Sequence, residues 1–216
     1  MADLGCIPSK GEMQRTLEAR HGKELQARFT DSTVAVCGLG GLGSNIAVSL
    51  ARAGIGRLIL IDFDRVDISN LHRQQYQADQ IGCCKTDALQ EILQKISPYT
   101  DIVTHTVRVT EENLTELLQD ADIICEAFDD AEAKAMLVNG VLEKLHTKYL
   151  IAASGMAGLG SANSIKTRRV MKRFYLCGDG VSDVADDIGL VAPRVMLCAA
   201  HQAQMVLRIL SGHDEP

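Results

Sequence analysis

The stretch VAVCGLGGLGSNIAVSLARAGIGRLILID, residues 34–62, decides the expected fold of this chain. An apolar run enters a glycine string, a helix of small residues follows, and a second apolar run ends on Asp62. This order predicts a strand–turn–helix–strand unit for a nucleotide, because glycines let the backbone approach phosphates and a helix N-terminus offers free N–H groups to an anion. Asp62 lies about 20 residues beyond the glycines, the spacing at which a carboxylate accepts hydrogen bonds from a ribose hydroxyl.

The glycine string supplies candidate residues for a phosphate loop. We expect Gly38 to form the turn and Gly43 to let the helix pack closely, while Gly40 and Gly41 admit a phosphate. Such a string fits NAD-dependent dehydrogenases as well as enzymes that use ATP, and it also occurs in tight turns without a ligand. Its position between a strand and a helix favours nucleotide binding.

Composition and charge argue against several classes of protein. The chain has 216 residues, 46% of them hydrophobic and only 4% aromatic, which suits a parallel sheet buried on both faces. The formal net charge of −6 argues against nucleic-acid binding by the chain as a whole. No run of 18 apolar residues occurs and the N-terminus is polar, so we expect a cytoplasmic protein without a membrane span or signal peptide.

The seven cysteines favour reduced, mostly buried thiols. Their number is odd and no CxxC pair occurs, so we expect no structural zinc, and the six histidines show no metal-ligand spacing. Cys177 lies beside a glycine-containing loop and could be a reactive thiol. A cysteine without an obvious base is more often inert, so both interpretations stay open.

The pattern of apolar residues alternates between helical and strand-like segments. Helices are predicted at 10–29, 86–96, 111–118, 131–145 and 193–210, and further strands at 102–107, 123–127, 149–153 and 164–175. This alternation predicts an α/β fold, with a Rossmann-like, mostly parallel sheet, helices on both faces and an antiparallel extension toward the C-terminus. We expect a single domain over 1–216, comprising an N-terminal helix (10–30), a nucleotide-binding core (33–160) and an extension with a loop and a closing helix (161–216).

A polar segment, DFDRVDISNLHRQQ at 62–75, follows the second strand at the point where open α/β sheets bind ligands. A hydride-transfer enzyme needs no arginine against the phosphates here. An enzyme that attacks a triphosphate does, because charge builds on the phosphoryl oxygens and fixed cations must meet it. Arg73 and Lys85 are candidates for this role, although either alone could be solvated surface charge.

Asp129 and Asp130 follow the strand predicted at 123–127. A carboxylate at a strand end beside a nucleotide can hold Mg²⁺, a hard ion that prefers oxygen ligands and keeps its waters. Either residue could instead N-cap the helix from Ala131, and Asp129 with Glu132 has the spacing of a capping box. Spacing alone leaves both alternatives open.

Together these motifs resemble the ThiF/MoeB family, relatives of the ubiquitin-activating enzymes, and within it the short form of ThiF. The resemblance covers about 34–212 and depends on GLGGLGS, LIDFDRVDISNLHRQQY, Lys85, Asp129 with Lys134 five residues later, and GLVAPRV. It implies that ATP and Mg²⁺ bind and that the C-terminal glycine carboxylate of a small ubiquitin-like sulfur carrier ending in Gly-Gly attacks the α-phosphate. A carboxylate nucleophile needs no general base, and the sequence shows no Ser–His or Cys–His arrangement.

The resemblance also implies roles for individual residues. The nucleotide site would comprise Gly38, Gly40, Gly41, Gly43, Asp62, Asp64, Asn70, Arg73, Gln74 and Lys85. The catalytic set would comprise Arg73, Lys85, Asp129 as the Mg²⁺ ligand, and Arg20, which (or else Arg15) would enter the neighbouring subunit of a homodimer. Two family features are missing: the two zinc-binding CxxC pairs, and a cysteine in the loop GDGVSDVADDIGL. A later thiol step therefore has less support than adenylation.

The sequence is compatible with more than one carrier and more than one class of function. The expected carrier is ThiS-like, for thiamine thiazole biosynthesis, and a molybdopterin-type carrier is the alternative. From other classes, the glycine string fits an NAD-binding oxidoreductase or sensor, and the whole chain fits a docking module that holds a carrier without activating it. Adenylation of a tRNA-linked carboxylate fits a basic cluster at 166–173 but not the overall acidity.

Overall fold

The computed structural model describes residues 7–185 and 188–216, so that Cys6 and two residues of the acidic loop lie outside the described part. The strands are β1 Thr33–Cys37, β2 Arg57–Ile61, β3 Asp101–His105, β4 Ile123–Glu126, β5 Tyr149–Ala153, β6 Lys166–Met171 and β7 Phe174–Gly178. They form one sheet of order β3-β2-β1-β4-β5-β7-β6. Every neighbouring pair is parallel except β6 with β7, so the predicted mostly parallel sheet with an antiparallel extension is confirmed.

Helices cover both faces of this sheet. They are α1 Lys10–His21, α2 Lys23–Thr30, α3 Gly41–Ala53, α4 Lys85–Ile96, α5 Leu114–Leu118, α6 Ala131–Lys144 and α7 Ala192–Leu210. Successive side chains of a strand point to opposite faces, and β1 shows the result. Val34 and Val36 pack into the apolar cluster that contains α3, α4 and α7, whereas Ala35 and Cys37 pack into the cluster of α5 and α6.

Two predicted elements are corrected by the structure. The N-terminal helix of 10–30 is two helices, because Gly22 between them has a φ of +85°, a conformation that ends a helix and favours glycine. The single strand of 164–175 is instead a hairpin of β6 and β7. Its turn, Lys172 and Arg173, contains neither glycine nor proline, the residues that mark most turns in a sequence.

The order of the strands places a crevice at one edge of the sheet. β2 lies on one side of β1 and β4 lies on the other, so the connections leaving β1 and β4 diverge at their carboxyl ends. Open α/β sheets bind ligands at such a point. None of the helices in the described residues is both long and apolar enough to cross a membrane.

Candidate active site

A cavity of about 590 Å³ lies at the carboxyl ends of the central strands, within the size range of small-molecule sites. It brings together many of the residues that the sequence singles out. Those on its walls are Gly38, Gly40, Gly41, Asp62, Asp64, Arg73, Gln74, Lys85 and Asp129. Residues far apart in the sequence therefore share one space.

The glycine turn between β1 and α3 is closed by contacts that only glycine permits. Gly38 has a φ of +88°, and a Cβ there would lie 2.7 Å from the carbonyl oxygen of Ala127. A Cβ on Gly43 would lie 1.8 Å from the Gly38 carbonyl oxygen, so Gly43 sits behind the turn and lets α3 pack against it. No side chain caps α3, whose N-cap is Gly40. Its first N–H groups therefore form an open site for an anion.

Asp62 is a buried carboxylate that joins this turn to the end of β2. Its Oδ2 accepts a hydrogen bond from the N–H of Leu39 at 2.6 Å, and its Oδ1 accepts one from the N–H of Asp64 at 2.8 Å. The spacing that predicts a ribose ligand does not indicate that Asp62 also holds the glycine turn through these hydrogen bonds. Because a carboxylate has about four acceptor positions, Asp62 can hold the turn and still accept hydrogen bonds from a ligand.

Lys85 is a buried cation on the wall of the cavity. Only 6% of the residue is exposed, and its Nζ donates to Oδ2 of Asp64 at 2.9 Å. It is therefore not a solvated surface charge, and that interpretation is wrong. An ammonium group has three donors, so Lys85 keeps donors for an anion in the cavity.

Arg73 is the second cation, and it lies beside the start of α3. Its side-chain carbons come within 3.4 Å of the position that a Cβ on Gly41 would take. One Nη1 hydrogen bond goes to the carbonyl of Ser69 at 3.2 Å, while the buried Nε finds no acceptor among the described residues. A buried donor without a partner is costly, and a phosphate oxygen beside the glycine turn would satisfy it.

Gln74 and Asn70 have different positions in this segment. Gln74 is buried in the cavity wall, and its Oε1 has no partner among the described residues. Asn70 does not line the cavity: its carbonyl accepts from the N–H groups of Arg73 and Gln74 at 3.1 and 3.0 Å, and its Oδ1 accepts from Asp67 N–H. Asn70 thus shapes the turn that presents the other two residues.

Arg20 lies away from this cavity. It is an exposed residue of α1, and together with Arg15 it borders a separate shallow groove on that helix. The structure of one chain therefore does not bring Arg20 to the other catalytic candidates.

The sequence left open whether Asp129 or Asp130 caps α6 or faces the nucleotide site, and the structure gives the two residues different positions. Oδ1 of Asp130 accepts a hydrogen bond from Ala133 N–H at 2.8 Å and so caps α6, which makes the Asp129–Glu132 capping box wrong. Asp129 is exposed at the cavity and forms no hydrogen bond or ion pair with a described residue. No group of three or more His, Cys, Asp or Glu suited to a metal occurs in the described residues. A single carboxylate still fits Mg²⁺, because that ion takes one or two protein carboxylates together with waters and phosphate oxygens.

A buried ion pair at the loops after β5 and β7 escaped the sequence analysis. Arg194, 6% exposed, donates to the carbonyls of Ala157, Gly160 and Ser161 and to the Asp179 carboxylate. Burial acts to raise the pKa of Asp179, but hydrogen bonds from Ser182, Val181 and Arg194 outweigh it and lower that pKa to about 2. The sequence contains one indication of this ion pair, which is an arginine within the otherwise apolar start of α7.

A second ion pair, the buried Glu126 with the partly buried Lys134, lies at the end of β4 beside the cavity. Their nitrogen and oxygen lie 2.9 Å apart, and Glu126 is fully buried. Burial raises the pKa of the Glu126 carboxyl, while Lys134 acts in the opposite direction. A lone glutamate in an apolar strand was the signal, because a charged residue is almost never fully buried without a partner.

Cys177 is an inert thiol. The residue is fully buried in β7, and burial raises its pKa to about 11, although a hydrogen bond with Thr167 acts in the opposite direction. Since the thiolate is the reactive form, the structure supports the inert interpretation and not the reactive one.

Comparison with known proteins identifies relatives over most of the chain. Residues 13–216 match a family model described as the ThiF family. The adenylyltransferase and sulfurtransferase UBA4 of Scheffersomyces stipitis is 30% identical over 193 residues, which cover 87% of this chain and 43% of that protein. The chain thus spans less than half the length of this relative. The molybdopterin-synthase adenylyltransferase of Salmonella typhimurium is 28% identical over 200 residues, or 89% of this chain and 78% of that protein.

Solved structures share the fold. The crystal structure of the E. coli tRNA N6-threonylcarbamoyladenosine dehydratase TcdA in complex with ATP has a TM-score of 0.85 at 20% identity, covering 96% of this chain and 98% of that one. E. coli MccB with ATP has a TM-score of 0.69 at 23% identity, covering 89% and 59%. At these identities the likeness shows the fold alone.

Proposed function

This chain belongs to the ThiF family, and on that basis we propose that it is an ATP-dependent adenylyltransferase. Its acceptor is the C-terminal glycine carboxylate of a small ubiquitin-like sulfur carrier that ends in Gly-Gly. Two relatives with adenylyltransferase in their names support this reaction class. We assign a ThiS-like carrier of thiamine thiazole biosynthesis as the acceptor. A molybdopterin-type carrier, suggested by the Salmonella relative, and a tRNA-linked group, suggested by TcdA, are the alternatives.

The observation that carries the proposal is the pair of cations beside an uncapped helix. Arg73 has a buried Nε without an acceptor among the described residues, and Lys85 uses one donor on Asp64. Both face the same cavity as the N-terminus of α3. Fixed donors of this kind stabilise charge that develops on phosphoryl oxygens, and they need no reorganisation when the reaction occurs.

The reaction follows from this arrangement. The ionised carrier carboxylate attacks the α-phosphorus of ATP, a carboxylate–phosphorus bond forms, and the bond to pyrophosphate breaks. No proton has to be removed from the nucleophile, so the site needs cations and positioning rather than a base. Asp62 would bind the ribose, Gly40 and Gly41 the phosphates, and Asp129 Mg²⁺. When bound, the metal would neutralise phosphate charge.

We also propose that the protein acts as a homodimer in which Arg20 reaches the cavity of the neighbouring copy. α1 has no buried residue, so this helix covers little of its own chain. Analytical ultracentrifugation of the wild type would measure the association. Mixing Arg20→Ala with Arg73→Ala protein would then test the exchange of residues between copies, because a mixed dimer regains one complete site.

The direct test combines the purified protein with ATP, Mg²⁺ and a panel of carriers, followed by intact-mass measurement of the carrier. We expect carrier-AMP with a ThiS-like protein, and none when its terminal Gly-Gly is deleted. Absence of carrier-AMP with every carrier, beside a known ThiF that forms it, would overturn the proposal. Tight NADH binding that ATP does not compete with would favour an oxidoreductase or sensor instead.

A further inference from the structure

The ion pair between Glu126 and Lys134 has an unusual set of partners. Glu126 is the last residue of β4 and is fully buried. Its Oε1 accepts the N–H of Phe128 at 2.7 Å, and Lys134 Nζ lies 3.0 Å from Oε1 and 2.9 Å from Oε2. The carboxylate is thus held by the helix that follows it and by the turn between the two elements.

Lys134 lines the cavity, and its ammonium group contacts the end of β4 and the turn that follows it. Nζ donates one hydrogen bond to Oε1 of Glu126 at 3.0 Å and one to the carbonyl of Phe128 at 2.8 Å. Oε2 of Glu126 lies 2.9 Å from Nζ but has no hydrogen-bond partner among the described residues. Two of the three donors of Lys134 therefore hold Glu126 and Phe128. Lys85 differs, because it uses one donor on Asp64.

Glu126 and Lys134 both form hydrogen bonds with the backbone of the turn that contains Asp129. Phe128 is held at its N–H by Glu126 and at its carbonyl by Lys134. On either side, Ala127 N–H donates to the Cys37 carbonyl at 2.8 Å and Asp130 caps α6. The backbone around Asp129 is fixed, whereas the Asp129 carboxylate itself is exposed and has no partner among the described residues.

We propose that Glu126 and Lys134 are positioning residues for Asp129, a statement that rests on the function proposed above. A carboxylate without contacts of its own can face a phosphate-bound cation only if its backbone is held in place. Stability does not require such a pair, since apolar residues of similar size often replace a buried ion pair without loss. The two hydrogen bonds to Phe128 are what apolar residues cannot supply.

The test uses a double variant, Glu126→Met with Lys134→Met, which removes both charges and leaves no lone buried ion. Two further variants complete the set. Lys134→Arg keeps a charged group with several donors, and Glu132→Gln changes an exposed carboxylate in the first turn of α6. Calorimetry measures ATP binding over a series of Mg²⁺ concentrations, and amide exchange by NMR reports on Phe128.

We expect the double variant to need roughly 10- to 100-fold more Mg²⁺ for half-maximal enhancement of ATP binding, the range seen when partners of a metal ligand are removed. Binding of ATP without Mg²⁺ should not change. The Phe128 amide should exchange at least about tenfold faster, while amides of α3 and α4 keep their protection. The single variant Lys134→Arg should keep most of the wild-type Mg²⁺ dependence, and Glu132→Gln should match the wild type.

The outcomes separate this proposal from the one on which it rests. A double variant with wild-type Mg²⁺ dependence would overturn the positioning role. If wild-type protein binds no ATP, the proposed function fails, and amide exchange alone then decides whether Glu126 and Lys134 hold the turn around Phe128. Faster exchange confined to the turn would support it, and unchanged protection of Phe128 would overturn it. An equal loss of protection across α3, α4 and the turn would show a purely structural pair and would also overturn it.

Discussion

Two sides of the cavity are built in different ways. The side that we call the motif wall consists of the glycine turn, the end of β2 and the segment up to Lys85, and many separate short contacts hold it. The opposite side, the loop wall, consists of 154–157 and 182–184. A few hydrogen bonds join its two loops to each other, and one buried ion pair, Arg194 with Asp179, joins them to α7. A substitution in the motif wall should therefore disturb the structure only locally. A substitution in the Arg194–Asp179 pair should disturb the structure of the whole loop wall.

The loop wall depends on Arg194 because all of its donors are used there. Besides Asp179, the guanidinium binds three loop carbonyls and the Ser164 hydroxyl. Asp179 in turn accepts from the N–H groups of Val181 and Ser182, both at 2.9 Å. The loops also expose large apolar side chains, among them Leu159 at 72% and Val181 at 83%. These two side chains therefore add little apolar burial to the loops.

The largest expected effect comes from the motif wall. Arg73→Ala should lower the rate of carrier adenylation by roughly 10³-fold, because it removes a fixed donor from the charge that develops on the phosphate. The melting temperature should change little, since Arg73 is only partly buried and its contacts are local. Arg52→Ala, an exposed arginine on α3, is the matched control. Pyrophosphate release and thermal unfolding measure the two effects, and a change of less than about tenfold in rate would contradict the role given to Arg73.

The same comparison shows what could be predicted from the sequence. The motif wall was accessible because a strand, a turn and a helix fix the positions of Gly38 and Asp62 through local spacing. Asp129 follows from the rule that parallel strands end at a common edge. Lys85, the first residue of α4, does not follow from that rule and was singled out as a second cation and through the family resemblance. The pairing of Arg194 with Asp179 depends on how α7 packs beneath a loop, and no local pattern encodes that. Glu126 gave a signal as a lone acid in an apolar strand, but its partner lay on the following helix.

The next prediction concerns the loop wall. Arg194→Met should lower the free energy of unfolding by about 3 kcal/mol, because it leaves the Asp179 carboxylate buried without its cation. The urea midpoint reports the change, and Arg52→Met serves as the control. Amide exchange should increase over both loops together while the glycine turn keeps its protection. A loss of amide protection confined to one of the two loops would contradict the proposed dependence of the whole loop wall on Arg194.

A smaller effect follows from the pH dependence of the same pair. The pKa of Asp179 is lowered from 3.8 to about 2, so its charged form stabilises the fold. This contribution, about 2 kcal/mol, is complete above pH 4 and is lost as the pH falls through 2. Asp179→Asn should remove that part of the acid dependence. Urea unfolding between pH 5 and pH 2 for both proteins measures it, and parallel curves would show that Asp179 is not responsible.

The smallest effect separates two neighbouring aspartates of the turn after β4. Asp130→Ala should cost about 1 kcal/mol of stability through loss of the α6 cap and should leave the Mg²⁺ dependence of ATP binding nearly unchanged. Asp129→Ala should do the reverse, because its carboxylate contacts no described residue and its removal leaves the fold without a lost bond. Thermal unfolding and Mg²⁺ titrations of the two variants therefore form a crossed pair. In this turn, the residue that faces the cavity and the residue that caps the helix are neighbours with different roles. If both variants lost stability and Mg²⁺ dependence together, that division would not exist.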